Sequence, residues 1–146
     1  MHELFKIILT ACITLIGGVA LLVVTQVFTR FVVDPLVDFR RLLGEVAYTL
    51  ILNSNLLYNP NATANTSEFQ EARRQCRALA SRLHAFSAAV PLYDALARIG
   101  LVPARKHVYD AAAQLIGLSN TTATHPSSVV DQHYQRISKL LRIRVD

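Results

Sequence analysis

The chain has 146 residues, 52% of them hydrophobic, with a formal net charge of +5 and a pI near 9.6. That length leaves room for one domain beside any membrane segment, and a mean hydropathy of +0.32 is high for a small soluble domain. Two cysteines, Cys12 and Cys76, are not the even, spaced set of a secreted disulfide scaffold.

The hydrophobic excess is concentrated at the start. No charge occurs from Ile7 to Val24, and Thr25, Gln26, Val27 and Phe28 extend the run. As a helix, these roughly 22 residues reach about 33 Å, enough for a bilayer core of about 30 Å. A cleavable secretion signal has an apolar run of about 7–15 residues and a small-x-small site. Here the run is longer, and TQVFTRFVVDP follows it with bulky residues and no Ala-x-Ala. The reading is an uncleaved transmembrane anchor over residues 1–33, with a helical cytoplasmic domain over 34–146. Lys6 and the amino terminus, offset by Glu3, stand on one side of the run, and Arg30, Arg40 and Arg41 on the other. The positive-inside rule therefore assigns the C-terminal region to the cytoplasm.

Within the anchor, Thr10, Thr14 and Gly18 recur four apart with Gly17 adjacent. Such a stripe lets a second membrane helix approach closely. Gln26, Arg30 and Asp34 are also four apart, at the helix exit. Arg30 stands at the end of the run, where it snorkels to the headgroups and pairs with Asp34; an ion path would need it mid-bilayer.

Asp34-Pro35 reads as the next helix N-terminus, with Asp34 as cap and Pro35 at the first helical position. That helix runs to about Leu57, with Leu36, Phe39, Leu42, Leu43, Val46, Ala47, Leu50 and Leu57 on one face and Asp38, Arg41 and Glu45 opposite. Tyr48, Ile51 and Leu52 fall outside the main face, an apolar patch for another helix, the membrane surface or a partner protein. Asn53, Ser54 and Asn55 cut this stretch too short for a second crossing. The loop YNPNATANTS has turn chemistry and glycosylation-acceptor spacings at Asn61 and Asn65, which carry no consequence on the cytoplasmic side.

Ser67 with Gln70 makes a capping box for a third helix ending before Pro91. Its buried face comprises Phe69, Ala72, Cys76, Leu79, Ala80, Leu83, Phe86 and Val90. A short helix, Leu92–Ile99, closes on Gly100. Another starts near Pro103 and runs to about Leu118, burying Val108, Ala111, Ala112, Leu115 and Ile116. After the polar link SNTTATHPSS, a last helix from roughly Pro126 to Ile143 repeats Val130, Tyr134, Ile137 and Leu141 at near-heptad spacing. No alternating strand is visible. The expected architecture is all-α: one N-terminal transmembrane helix followed by a small bundle of four to five helices.

Twelve of the fifteen cations are Arg, which suits phosphate recognition. Arg73, Arg74 and Arg77 share one helix face beside His84, and Arg136, Lys139 and Arg142 share another. Either set suits lipid headgroups or an acidic protein. No aromatic stripe accompanies them, which argues against nucleic acid. His107 and Asp110, with Gln114 next along, read as an exposed helix edge. His125 and His133 are eight apart, not the four-apart pair of a helical zinc site. Cys76, among Phe69, Leu79, Leu83 and Phe86, reads as an inert buried thiol. With no phosphate-binding glycine loop, nucleophile elbow or carboxylate cluster, no catalytic, cofactor or metal residue is assigned and no enzymatic activity is expected.

The expectation is a single-pass membrane protein of the bacterial inner-membrane type. Its helical domain would serve as a protein-interaction, assembly or regulatory subunit of a membrane complex. Its partners would be the lipid bilayer and another membrane protein or a second copy of itself. One alternative is an anionic-lipid-binding surface protein that uses the six cations above. Another is an oligomeric pore, for which Thr10, Thr14, Thr25 and Gln26 are a thin polar lining.

Overall fold

A computed structural model of the protein describes residues 2–58, 67–121 and 126–144. The described residues are helical and contain no strand. They form α1 (His2–Phe28), a π-helical turn (Thr29–Val33), α2 (Asp34–Leu52), α3 (Ser54–Tyr58), α4 (Ser67–Ala89), α5 (Tyr93–Arg98), α6 (Arg105–Ser119) and α7 (Ser127–Leu141). The chain divides into two compact units, Met1–Pro35 and Leu36–Asp146.

In the first unit, α1 is apolar around its circumference and buries none of its residues. It is long and apolar enough to cross a membrane. The hydroxyls of Thr10, Thr14 and Thr25 donate to the carbonyls of Lys6, Thr10 and Leu21 in the same helix. Each polar side chain is thus satisfied one turn back, without help from water or a neighbour. The cap expected at Asp34 is absent. Asp34 has helical φ and ψ of −58° and −50°, and its N–H reaches back to the Thr29 carbonyl. Pro35 supplies the physical reason. It has no N–H and crowds the carbonyl four residues before it, and a π turn just upstream accommodates such a break without ending the helix. The turn also shifts Asp34 out of the i, i+4 register with Arg30, and no ion pair joins the two.

The second unit is built on antiparallel neighbours. Along α2 and α4, Phe39 stacks on Phe86 with ring centroids 5.3 Å apart, Glu45 meets Arg82, and the Asn53 amide donates to Gln75 at 3.0 Å. Rising residue numbers on one helix thus meet falling numbers on the other. The same holds for α4 and α6, where Arg105 reaches the Ser87 carbonyl and Arg73 the Ser119 carbonyl. It holds again for α7 against the α2–α3 segment: Tyr58 bonds Asp131, and Tyr134 bonds the Leu50 carbonyl at 2.9 Å. One end of this unit therefore gathers the start of α2, the end of α4, α5, the start of α6 and the last turn of α7. The opposite end gathers α3, the start of α4 and the end of α6.

Apolar stripes at helical spacing meet in the middle. Phe39, Leu42, Val46 and Leu50 of α2, Cys76 and Leu83 of α4, Val108 and Leu115 of α6 and Ile137 of α7 are all buried. Each such Leu or Val contributes on the order of 2 kcal/mol by leaving water. Leu36, Leu43 and Ala47, expected on the buried face of α2, are only half-buried, as are Phe86 and Val90 at the end of α4. Ile116 is not buried but 46% exposed. It lies about 100° around the helix from Leu115, and Leu118 and Ser119 fill the buried face in its stead.

Six α-helices follow α1 among the described residues, where four to five were expected. The extra one arises at Asn53, which divides the expected helix to Leu57. Asn53 is buried, its amide also donates to the Thr49 carbonyl at 3.0 Å, and its own carbonyl accepts from the Leu57 N–H. A side chain that bonds the backbone of the preceding turn competes with the helix ladder. Helix α5 closes on Gly100 at φ +79°, with Gly100 N–H to Ala97 and Leu101 N–H to Leu96. These two bonds make a Schellman cap, and its C′ position wants a glycine. Leu92, just before α5, has φ +60°, a left-handed conformation that costs a bulky residue roughly 1–2 kcal/mol.

Candidate functional site

The surfaces available for interaction follow from which side chains this packing leaves over. On α2, Phe39, Leu42, Val46 and Leu50 face inward, and the opposite side runs through Val37, Gly44, Tyr48, Ile51 and Leu52. Tyr48 is 66% exposed, Ile51 50% and Leu52 59%. No neighbouring atom approaches within 4 Å of where a Cβ on Gly44 would stand. The second half of α2 thus offers a shallow apolar strip with an aromatic at its centre. An aromatic in a small apolar patch is a common composition of binding anchors.

The six cations read as two basic faces are separated. Arg73 donates to the Ser119 carbonyl, and Arg77 donates to the Ser119 hydroxyl and the Asn120 side chain, both at 3.0 Å. The carbonyls in the last turn of a helix lack partners of their own and sit at the negative end of its dipole. Arg73 and Arg77 thus hold the C-terminus of α6 from across the helix interface. Arg73 also lies over the Phe69 ring, 5.8 Å from its centroid, and Arg74 pairs at 3.9 Å with Glu71. Arg136 and Lys139 are exposed on α7, and Arg142 sits in the left-handed region at its C-cap. Because α6 and α7 run antiparallel, Arg73 and Arg77 lie at one end of the unit, while Lys139 and Arg142 lie toward the other. His84 stacks on Tyr109 at 4.5 Å and 20°.

Several of the remaining titratable groups have structural partners. His107 is exposed, and Gln114 bonds Nδ1 of His133 at 2.8 Å. The His133 ring lies against Gly117, where a Cβ would come within 2.6 Å of it. His125 and the acceptor spacings at Asn61 and Asn65 lie outside the described residues. Burial pushes the Cys76 thiol up to about 11, so the nucleophilic thiolate is scarce at neutral pH. Burial likewise raises the Tyr58 hydroxyl, helped by its bond to the Asp131 carboxylate. Among the described residues, no three His, Cys, Asp or Glu side chains gather as a metal site requires.

A tight polar node lies at the α5 end of the unit. Arg105 forks onto both oxygens of Asp94, at 3.2 and 3.3 Å, and stands over the Tyr93 ring at 5.1 Å. The Tyr93 hydroxyl donates to the Pro103 carbonyl at 2.9 Å, and burial pushes its pKa up to about 12. The Tyr93 ring meets the edge of Phe39 at 6.4 Å. Sequence spacing alone could not reveal this node or the arginine caps, because their hydrogen bonds join residues 10 to 46 apart in the chain. In the first unit, Thr10, Thr14, Gly17 and Gly18 are exposed, and neither glycine has a neighbour within 4 Å of an added Cβ. No protein-family model matches the chain, and neither a curated protein nor a solved structure does.

Proposed function

We propose that the chain is a single-pass membrane protein whose helical unit, a small bundle in which α2, α4, α6 and α7 are the long members, binds another protein of the same membrane. In that role it acts as an assembly or regulatory subunit of a larger complex. The observation that carries the reading is the exposed strip Tyr48, Ile51 and Leu52 on a helix whose opposite face is buried. Isolated exposed apolar residues are ordinary, but three large ones, an aromatic among them, within little more than one turn make a surface suited to a partner. The wholly exposed, apolar α1 supports the anchor. The small residues Thr10, Thr14, Gly17 and Gly18 supply a face on which the partner's membrane helix, or a second copy's, can pack.

The engagement of Arg73 and Arg77 with the end of α6 favours this reading over lipid recognition by all six cations together. The threonine hydroxyls bonded within α1 leave a poor lining for a pore. The test is a photo-crosslinking amino acid at Tyr48 in the full-length protein in its native membrane, with exposed Ala113 as control. An adduct to a second polypeptide from Tyr48 and none from Ala113 is expected. Lipid adducts alone at Tyr48 contradict the reading.

A further inference from the structure

We propose that the segment 91–103 around α5 is a second membrane contact: Leu92, Ile99 and Leu101 enter the headgroup region of the leaflet from which α1 emerges, and the nearby cations Arg98, Lys106, Lys139 and Arg142 bind its anionic lipid phosphates. The inference rests on the reading of α1 as a membrane anchor.

Three observations converge on it. The first is the chemistry of the segment. Leu92 is 58% exposed, Ile99 69% and Leu101 42%, all within one connection between two long helices. The connection is braced from within by the Tyr93 hydroxyl on the Pro103 carbonyl, the Schellman cap at Gly100 and Arg105 over Tyr93. Leu92 takes a left-handed backbone and still leaves its side chain outside the core. A braced connection that presents three large aliphatic side chains outward has the form of an interfacial anchor.

The second observation is place. Tyr93 packs on Phe39, at the start of α2. Phe39 comes four positions after Pro35, the last residue of the first unit, and four chain steps span at most about 14 Å. The α5 end is therefore the end of the helical unit nearest along the chain to the apolar run. The Tyr48 strip begins further along α2, so the two apolar surfaces are distinct.

The third is charge. Arg98, Lys106, Lys139 and Arg142 are exposed, and none makes an ion pair among the described residues. Lys106 opens α6 beside α5, and the last turn of α7, with Lys139 and Arg142, returns toward the same end. Of the acids there, Asp94 is neutralised by the Arg105 fork, and Asp34 and Asp38 stay exposed. Basic residues outnumbering acids around an apolar tip complement an anionic leaflet. A protein partner would not require that excess on the tethered end.

The experiment places a fluorescent amino acid at Ile99, at Leu15 in α1, or at Asn55 in α3, each exposed, so the fold is little disturbed. The full chain is reconstituted, without other proteins, into vesicles of equimolar phosphatidylcholine and phosphatidylglycerol, with or without brominated acyl chains. Quenching by the brominated lipid is expected at Leu15 and Ile99 and not at Asn55. Loss of most of the Ile99 quenching is expected when Arg98 and Arg142 become Gln, or in phosphatidylcholine alone. Quenching at Leu15 with none at Ile99 overturns the second contact and leaves the anchor standing. A blue-shifted but unquenched Ile99 also overturns it, showing the segment covered by a second copy. No quenching at Leu15 defeats the anchor reading itself, and the second contact with it. Equal quenching at Ile99 in both lipid mixtures overturns the role of the cations.

Discussion

Tyr134 shows how a single side chain joins two helices. Its ring packs 5.2 Å from that of Tyr58, and its hydroxyl donates to the Leu50 carbonyl in the last turn of α2, where carbonyls lack helical partners. Tyr134 and Leu50 are both buried. Tyr134→Phe removes the donor and strands that carbonyl, so a loss of about 1–2 kcal/mol is expected. It would appear as a lower denaturation midpoint of the full chain in micelles; an unchanged midpoint would show that the bond contributes nothing. Glu45 carries a pH-dependent term. The Arg82 hydrogen bond, opposed by partial desolvation and aided by the Arg82 and Arg41 charges, holds its carboxyl below the ordinary value of 4.5. A depressed folded-state pKa means that the stabilisation is complete above about 4.5 and disappears as pH falls through the lower folded value. Glu45→Gln should therefore melt below the parent at neutral pH, with the difference shrinking as pH falls below about 4.5. A constant difference across that range would assign the effect to packing.

At the scale of elements, both short-helix boundaries and long-helix ends are set by a few backbone positions. Gly100 at φ +79° closes α5, and Arg142 at φ +56° fills the equivalent position after α7, where the Ile143 N–H reaches the Ser138 carbonyl. Gly100→Ala places a Cβ in the left-handed region and should cost about 1 kcal/mol, whereas Arg142→Gly relieves the same strain and should gain up to about that much. Opposite shifts of the two thermal midpoints would bear this out, and shifts of the same sign would contradict it. The buried stripes of α4 and α7 were largely legible in the sequence, because a 3.6-residue period in Phe69, Ala72, Cys76 and Leu83, or in Val130, Tyr134, Ile137 and Leu141, needs no knowledge of the partner. Other features depend on it. The burial of Asn53 depends on its amide finding Gln75 on α4. Asp34-Pro35 carries the signature of a helix start, yet the chain stays helical because a π turn absorbs the proline. Ile116 matched the apolar pattern of α6, but its neighbour Leu115 faces the core.

At the scale of the whole molecule, the helical unit has two ends of different chemistry. The up-and-down order of α2, α4, α6 and α7 carries the chain back to the start of α2 twice, gathering Arg98, Lys106, Lys139 and Arg142 near the tether. Arg73 and Arg77 lie at the far end, engaged with α6. The sequence displayed all of these cations but not their distribution, since helix order in space is not written in composition or period. The proposed role and the second membrane contact both require α1 to lie in a membrane with the helical unit on its cytoplasmic side. The measurement that tests this most directly fuses to the C-terminus, in turn, a reporter active only in the cytoplasm and one active only outside. The cytoplasmic reporter should be active, the external one silent, and both fusions should stay with the membrane after alkaline extraction. An active external reporter would put the basic end against the wrong leaflet, and release of the fusions into the soluble fraction would contradict the anchor itself.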